Sequence, residues 1–319
     1  MTPTLLSTPM RYFVEVARSG SVNQAAARLF VASSAVSRQI AKLEDSLGTP
    51  LFDRHARGMA LTAAGERLAG HLRNAQLDAD QVIEQVRGLG GQEASRVRMA
   101  CTEGFAPNFM PAVMHDFQAA HPGSQIELYV GAPDEVSAML LRGDTDIALK
   151  YVVAPEPGLR IEHSAPAPVF AVLRPDHPLA RQRVIHVAEA VRYPLAVGSK
   201  GMTTRQLFDQ ACSEQGLQYR AIFVSNFSSV LLPLMRATDV LLSGHLTVTH
   251  QIDSGMVVAR PFAEAPLQQR RLQVLALEGR TLSPLVRAFV QHLVQAIASA
   301  GRRKLGRAQP PAAVSRAGR

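Results

Sequence analysis

The apolar positions of the first third of the chain repeat at helical spacing. Met10, Phe13, Val14 and Ala17 fall on one face behind Ser7-Thr8-Pro9, a cap with a first-turn proline, and Gly20 ends the run. Ser21-Val-Asn-Gln24 has the form of a capping box. It opens a short helix whose Ala25, Ala26, Ala27 and Leu29 allow close packing. A third helix follows within a few residues, the spacing of a helix-turn-helix. In it Val36, Ile40, Leu43 and Leu47 form an apolar seam, and Ser33, Ser34, Ser37 and Arg38, with Ala41 and Lys42 behind them, form the opposite face. Gly48-Thr-Pro50 stops this helix, and Leu51–Thr62 reads as a two-stranded wing with Arg54 and Arg57 towards its tip.

Thr62 is placed to cap a long helix. Its Leu68, Leu72, Ala75, Ala79, Val82, Val86 and Leu89 step alternately by four and three residues, a heptad seam ended by Gly88, Gly90 and Gly91. Such a seam packs either on its own domain or against a second copy. A long helix joining two domains favours the second copy, which sets two reading helices on two half-sites.

From Ser95 strands and helices alternate. Strands are predicted at Arg96–Cys101, Ile126–Val130, Thr145–Lys150, Val169–Leu173, Leu195–Val197, Ala221–Val224, Val240–Leu242 and Leu272–Leu277. Helices are predicted around Met110–Phe117, Asp134–Arg142, Thr204–Glu214 and Ser228–Ala237, with a last one opened by Ser283-Pro284 and carrying Leu285, Phe289, Leu293 and Ile297. The alternation predicts parallel sheets covered on both faces, in two halves with a ligand cleft between them. The expected fold class is therefore α+α/β: a winged helix-turn-helix, a long linker helix and a two-lobed α/β domain.

Composition sharpens this reading. The chain has 319 residues, 47% of them hydrophobic and 19% charged, enough for two domains with full cores. No apolar run approaches the roughly 18 residues of a membrane span, and no export signal is visible, so a cytoplasmic protein without membrane contact is expected. Two cysteines, Cys101 and Cys212, fit a reducing compartment. The net charge of +8 comes mostly from the end of the chain. Six of the 34 basic residues lie from Gly301 onward with no acidic ones, leaving 28 basic against 26 acidic elsewhere. That tail, 301–319, reads as a disordered basic segment.

Short hydroxyls and one long cation at the front of a helix suit entry into the major groove of double-stranded DNA. Ser33, Ser34, Ser37, Arg38 and Lys42 are the expected reading residues, with Arg54 and Arg57 on flanking phosphates. Any surface helix has a polar face; here the capped neighbour and the wing decide for DNA.

In the two-lobed part, Thr102 ends the first strand just before a helix, where a hydroxyl and free N–H groups suit a small anion or carbonyl. Gly198-Ser-Lys-Gly-Met-Thr-Thr-Arg205 is a second turn of this kind; its Ser199, Thr203 and Thr204 either meet a ligand, cap the helix, or do both. Lys150, at the end of an apolar strand, is either a carboxylate partner or a solvated lysine. Asn226 offers an amide to the same cleft. Thr102, Thr203 and Lys150 together lean towards a small carboxylate. Cys101 is either a redox sensor or a core cysteine. No His-Glu-x-x-His, Gly-x-Ser-x-Gly or Walker loop is present, and the ten histidines are scattered, so no enzyme, metal or cofactor is expected.

Met10-Arg-Tyr-Phe13, Ser21 followed by Ala25-Ala26 and Leu29, Ala35-Val-Ser-Arg-Gln-Ile40, Leu43-Glu44, Leu47-Gly48, Pro50-Leu-Phe52, Arg54 and Leu61-Thr-Ala-Ala-Gly-Glu66 come in an order that resembles the LysR-type transcriptional regulators. The family usually has Ser, Gln and Pro where this chain has Ala32, Ser33 and Ser34, which makes Ser33 the expected cap. The resemblance implies a DNA-binding domain over 1–66, a linker helix over 62–91 and a periplasmic-binding-protein-like effector domain over 92–300. Its first lobe, about 92–164 and 269–300, is completed by the chain's return after the second, about 165–268. It further implies an effector contact at Thr102 and another at Thr203, and a dimer or tetramer whose DNA bending responds to a small-molecule effector and acts on RNA polymerase. Ala237–His245 departs from the glycine-rich turn common in the family.

Overall fold

The computed structural model describes residues 6–55, 58–88, 96–236 and 239–303. Arg57, Leu89 and the tail from Lys304 onward lie outside them, as do the side chains of Arg54 and Val86. Three helices come first, α1 (Thr8–Ser19), α2 (Val22–Leu29) and α3 (Ser33–Leu47). They are followed by a hairpin of β1 (Phe52–His55) and β2 (Gly58–Leu61) and by the long α4 (Ala63–Gly88). Ser21 Oγ accepts from the Gln24 N–H at 3.4 Å, opening α2, and Thr62 Oγ1 accepts from the Gly65 N–H at 3.0 Å, opening α4. Each bond satisfies a donor that the first helical turn leaves over. The apolar faces meet around Phe13, Val16, Val36, Ile40, Leu51 and Phe52. Glu44 fastens α3 to the hairpin, its Oε1 accepting from the N–H groups of Leu51 (2.8 Å) and Phe52 (3.2 Å).

Three expectations change here. Ser33 is the first helical residue of α3, and the cap is Ala32, extended at φ −70° and ψ 141° with no side-chain bond. Leu47 is exposed, because Gly48 turns the chain away at φ +66° before that last turn finds a neighbour. Leu68 and Leu72 pack into the core of their own DNA-binding domain, since α4 leaves β2 along α1 and buries its first two turns there. Further along the seam Ala75 and Ala79 are half-buried and Val82 is exposed.

The first lobe holds β3 (Arg96–Thr102), α5 (Met110–Ala120), β4 (Gln125–Gly131), α6 (Pro133–Arg142), β5 (Ile147–Val152) and β6 (Leu159–Pro166). The second holds β7 (Phe170–Leu173), α7 (Val187–Ala190), β8 (Leu195–Gly198), α8 (Thr203–Glu214), β9 (Ala221–Ser225), α9 (Ser228–Leu234), β10 (Val240–Ser243), α10 (Thr249–Asp253), β11 (Val258–Pro261) and α11 (Ala265–Gln268). The chain then returns as β12 (Arg271–Leu277) and α12 (Pro284–Arg303). The sheet orders are β4-β3-β5-β12-β6 and β11-β7-β10-β8-β9.

Both sheets are mixed, where strand–helix alternation predicts parallel ones. β4, β3 and β5 run parallel, but β12 lies antiparallel between β5 and β6. In the second lobe β9, β8 and β10 run parallel, and β7 lies antiparallel to β10 and β11. The reversed strands are those at the two crossovers between lobes, where no helix turns the chain back. β6 and β11 are additional to the strands expected from sequence.

α12 seats Phe289, Leu293 and Ile297 in the first lobe's core, where Phe117 and Phe289 meet edge to face at 4.9 Å. Asp146 ties this return in place, accepting from Arg98 at 2.8 Å and Arg280 at 2.6 Å. Burial pushes its carboxyl up, but the Arg98 bonds and the charges of Arg280 and Arg98 outweigh that and hold it below its ordinary value. Just past β12, the Glu278 carbonyl accepts from Asn74 Nδ2 of α4 at 3.0 Å. Gly279 (φ +75°) brings backbone against that side chain; a Cβ there would lie 2.9 Å from Asn74 Nδ2.

Candidate functional site

On α3, Ser34, Arg38, Ala41 and Lys42 are exposed along one stripe, opposite the buried Val36 and Ile40. Ser33 and Ser37 stand half-exposed at its edge. The stripe is small-residue at its start and cationic along its length, as a helix entering a groove requires. Arg54 lies in β1, paired in register with Met59. One neighbour escaped the sequence reading. Phe30, at φ +57° in the turn between α2 and α3, is 94% exposed. Its only sequence signal is an aromatic residue outside every apolar seam.

The two lobes face one another across a cavity of about 320 Å³. The carboxyl ends of parallel strands open into it: Thr102 after β3, Ser199 after β8 and Ser243 at the end of β10. This is the position at which open α/β sheets bind ligands. Thr203 and Thr204, in the first turn of α8, and Asn226, after β9, line the same space. Five of the six expected effector residues therefore meet in one cavity. Polar contacts join the lobes beside it. Glu103 accepts from the N–H groups of Ser228 (2.8 Å) and Ser229 (3.1 Å) in the first turn of α9, and Asn108 Nδ2 donates to the Thr247 carbonyl at 2.8 Å. The lobes approach closely at two glycines: a Cβ on Gly104 would lie 2.7 Å from Thr247 Oγ1, and one on Gly244 2.8 Å from both Arg270 Nη2 and Tyr151 Oη.

Lys150 is the sixth, and it lies elsewhere. β5 begins two residues later than expected and runs past it to Val152, so Lys150 is interior rather than terminal. Side chains alternate along a strand, and Lys150 shares its face with Ala148, under α6. It is 3% exposed, with Nζ bonded to Glu156 Oε1 (2.7 Å), Ser137 Oγ (2.6 Å) and the Pro133 carbonyl (3.0 Å). All its protons are used behind the cavity wall. Tyr151, on the opposite face, reaches the cavity instead.

Among the described residues two cations line the cavity, the exposed Lys200 and the buried Arg270, 1% exposed. Its guanidinium carbon lies 4.1 Å from the centre of the Tyr151 ring, which stacks on Phe105 at 4.5 Å. Nε and Nη2 hold the carbonyls of Ala167 (2.7 Å) and Pro168 (3.0 Å) at the crossover. It makes no ion pair among the described residues. Burial lowers its pKa to about 10, the effect of Tyr151 opposing it. In the sequence Arg270 is one of two adjacent arginines before a strand, and only the return of β12 beneath the cleft distinguishes it.

Cys101 is buried in the first lobe's core, and burial, with the charge of Glu103, pushes its thiol up to about 12. Burial raises Cys212 to about 11, aided by Asp209 and Glu264. Thiols held protonated are poor nucleophiles, and the two cysteines sit in different lobes. Among the described residues no helix is long and apolar enough to cross a membrane, and no group of His, Cys, Asp and Glu is placed to hold a metal ion.

Comparison with known proteins covers both parts of the chain. Residues 8–66 match the bacterial regulatory helix-turn-helix protein, lysR family, and residues 90–298 match the LysR substrate binding domain. The chain is similar to the HTH-type transcriptional regulator CbbR of Rhodospirillum rubrum, 29% identical over 288 residues, spanning 89% of this chain and 94% of that one. It is similar to the SDS degradation transcriptional activation protein of a Pseudomonas species, 30% identical over 294 residues, spanning 88% and 92%. Full-length CbnR complexed with its target DNA shares the fold at TM-score 0.51 and 19% identity, over 90% of this chain and 98% of that one. A full-length OxyR variant from Pseudomonas aeruginosa shares it at TM-score 0.57 and 19% identity, over 95% and 98%. With a reading helix, a two-lobed cleft and family matches across both, the chain belongs to the LysR family of helix-turn-helix transcriptional regulators.

Proposed function

We propose that this regulator reads promoter DNA through Ser34, Ser37, Arg38 and Lys42, with Ser33 at the edge of the contact and Arg54 and Arg57 on neighbouring phosphates. A small-molecule effector binds between the lobes at Thr102, Ser199, Thr203, Thr204 and Asn226 and alters their closure. Two copies pair along the outer part of α4, through Ala75, Ala79 and Val82 and on to Val86 and Leu89, as a dimer or a dimer of dimers. The promoter response passes to RNA polymerase. The protein works in the cytoplasm by binding alone, without catalysis and without a resident cofactor. The observation that carries this reading is the exposed cationic stripe of α3, whose opposite face packs Val36, Ile40 and Leu43 into the winged domain's core.

Footprinting of the promoter beside the gene, across a salt series, tests it. A protected site longer than one half-site that persists as salt rises is the expected result. Unlocalised binding that collapses with salt would reduce the contact to phosphate attraction and overturn the assignment of α3.

A further inference from the structure

The cavity between the lobes is lined by four groups whose polar capacity is left open, the hydroxyls of Thr102, Ser243 and Tyr151 and the guanidinium of Arg270. Thr102 Oγ1 (residue 9% exposed) and Ser243 Oγ (1%) are buried and have no hydrogen-bond partner among the described residues. Arg270 is buried at the same cavity with two of its nitrogens on backbone carbonyls and no carboxylate in reach. A buried charge without a counter-charge, beside idle hydroxyls, is the arrangement an anion completes. Two of the three carboxylates lining the cavity are already engaged, Glu103 on the first turn of α9 and Glu135 on the Ala132 N–H at 2.9 Å. They turn their charge to backbone donors rather than to Arg270.

Resting on the reading of the cleft as the effector site, we infer that the effector is a monocarboxylate whose charged end is received by Arg270, Thr102 and Ser243. One buried cation matches one negative charge. A dianion would bring a second charge into a space lined by Glu103, Asp134 and Glu135, where the other lining cation, Lys200, is exposed to water. The rest of the ligand lies against Val130, Met202 and Phe227, an apolar surround suited to a neutral body.

The test uses the full-length protein and probe pairs that share a skeleton and differ in charge. These are propionate through octanoate and benzoate, each with its primary amide, together with succinate and glycerol phosphate. Binding is followed by calorimetry and by thermal shift at neutral pH. At least one monocarboxylate should bind about tenfold or more tighter than its amide, the size expected of a desolvated charge-assisted contact. Arg270→Gln should erase that contrast. Thr102→Val and Ser243→Ala remove hydroxyls bonded to nothing, so they keep the test usable if Arg270→Gln does not fold, and each should weaken the carboxylate.

The inference falls if no monocarboxylate binds at millimolar concentration, if amides or dianions bind as tightly, or if the contrast survives in Arg270→Gln. Should amides bind as well as acids and weaken in Thr102→Val, the cleft stands as the effector site and only the anion assignment is lost. Should acids be preferred but remain indifferent to all three substitutions, the cleft reading falls with it.

Discussion

Lys150, in β5, and Arg270, immediately before the neighbouring β12, are both buried cations, with opposite environments. Lys150 lies behind the cavity wall with a carboxylate, a hydroxyl and a carbonyl on its three protons. Arg270 lies at the cavity, over a tyrosine ring, with no counter-charge. The first holds α6 and the loop after β5 together; the second carries an electrostatic deficit into the ligand space. The difference teaches that burial of a cation says little by itself. Whether its partner is part of the chain decides between architecture and recognition.

Four substitutions and one titration sharpen that contrast. The largest effect belongs to the fully paired case: Arg280→Met strands Asp146 in the interior and should cost about 3–5 kcal/mol in denaturant unfolding. Acid should reproduce part of it. Because the folded state holds Asp146 below its ordinary value, its contribution is complete above about pH 4 and is lost as pH falls through the lowered value. Unfolding midpoints recorded towards acid should therefore fall less steeply in Asp146→Asn than in the parent. Lys150→Met should cost about 1–3 kcal/mol, less than Arg280→Met because Glu156 is 29% exposed and turns to water. Arg38→Ala, an exposed cation, should leave the unfolding midpoint in place and weaken operator binding by about 1–3 kcal/mol if it makes a bidentate base contact. Of the three buried cations, Arg270→Met should cost least, about 1 kcal/mol, since it strands no opposite charge and gives up only two bonds to backbone carbonyls. A loss as large as that of Lys150→Met would show that the two cations are both structural and would break the comparison.

The same contrast explains what could be read from sequence. The α3 stripe is local: helical period alone sorts Val36 and Ile40 from Arg38 and Lys42. Thr102, Thr203 and Asn226 follow from strand ends, again over a few residues. Lys150 was misplaced because β5 runs two residues further than expected, which makes it interior to the strand, and because nothing local shows that its face is covered by α6. Leu68 and Leu72 keep a perfect heptad spacing that does not say which neighbour they meet. Arg270 was invisible, because its place under the cleft is made by β12 returning from more than a hundred residues after β5 to lie beside it. Phe30 had no period to belong to.

β12 has one more property. Arg270 stands at its start beside the cavity, and just beyond its end the Glu278 carbonyl is held by Asn74 of α4. Eight residue steps of extended chain separate the two points, about 26 Å. Hydrogen-bonded to β5 and β6 along both edges, this strand behaves as a rod rather than a spring. A shift of this strand along its axis at the cavity end would reach the middle of α4, at Asn74, without amplification. Any magnification of the movement belongs to the swing of that helix, outside the sheet.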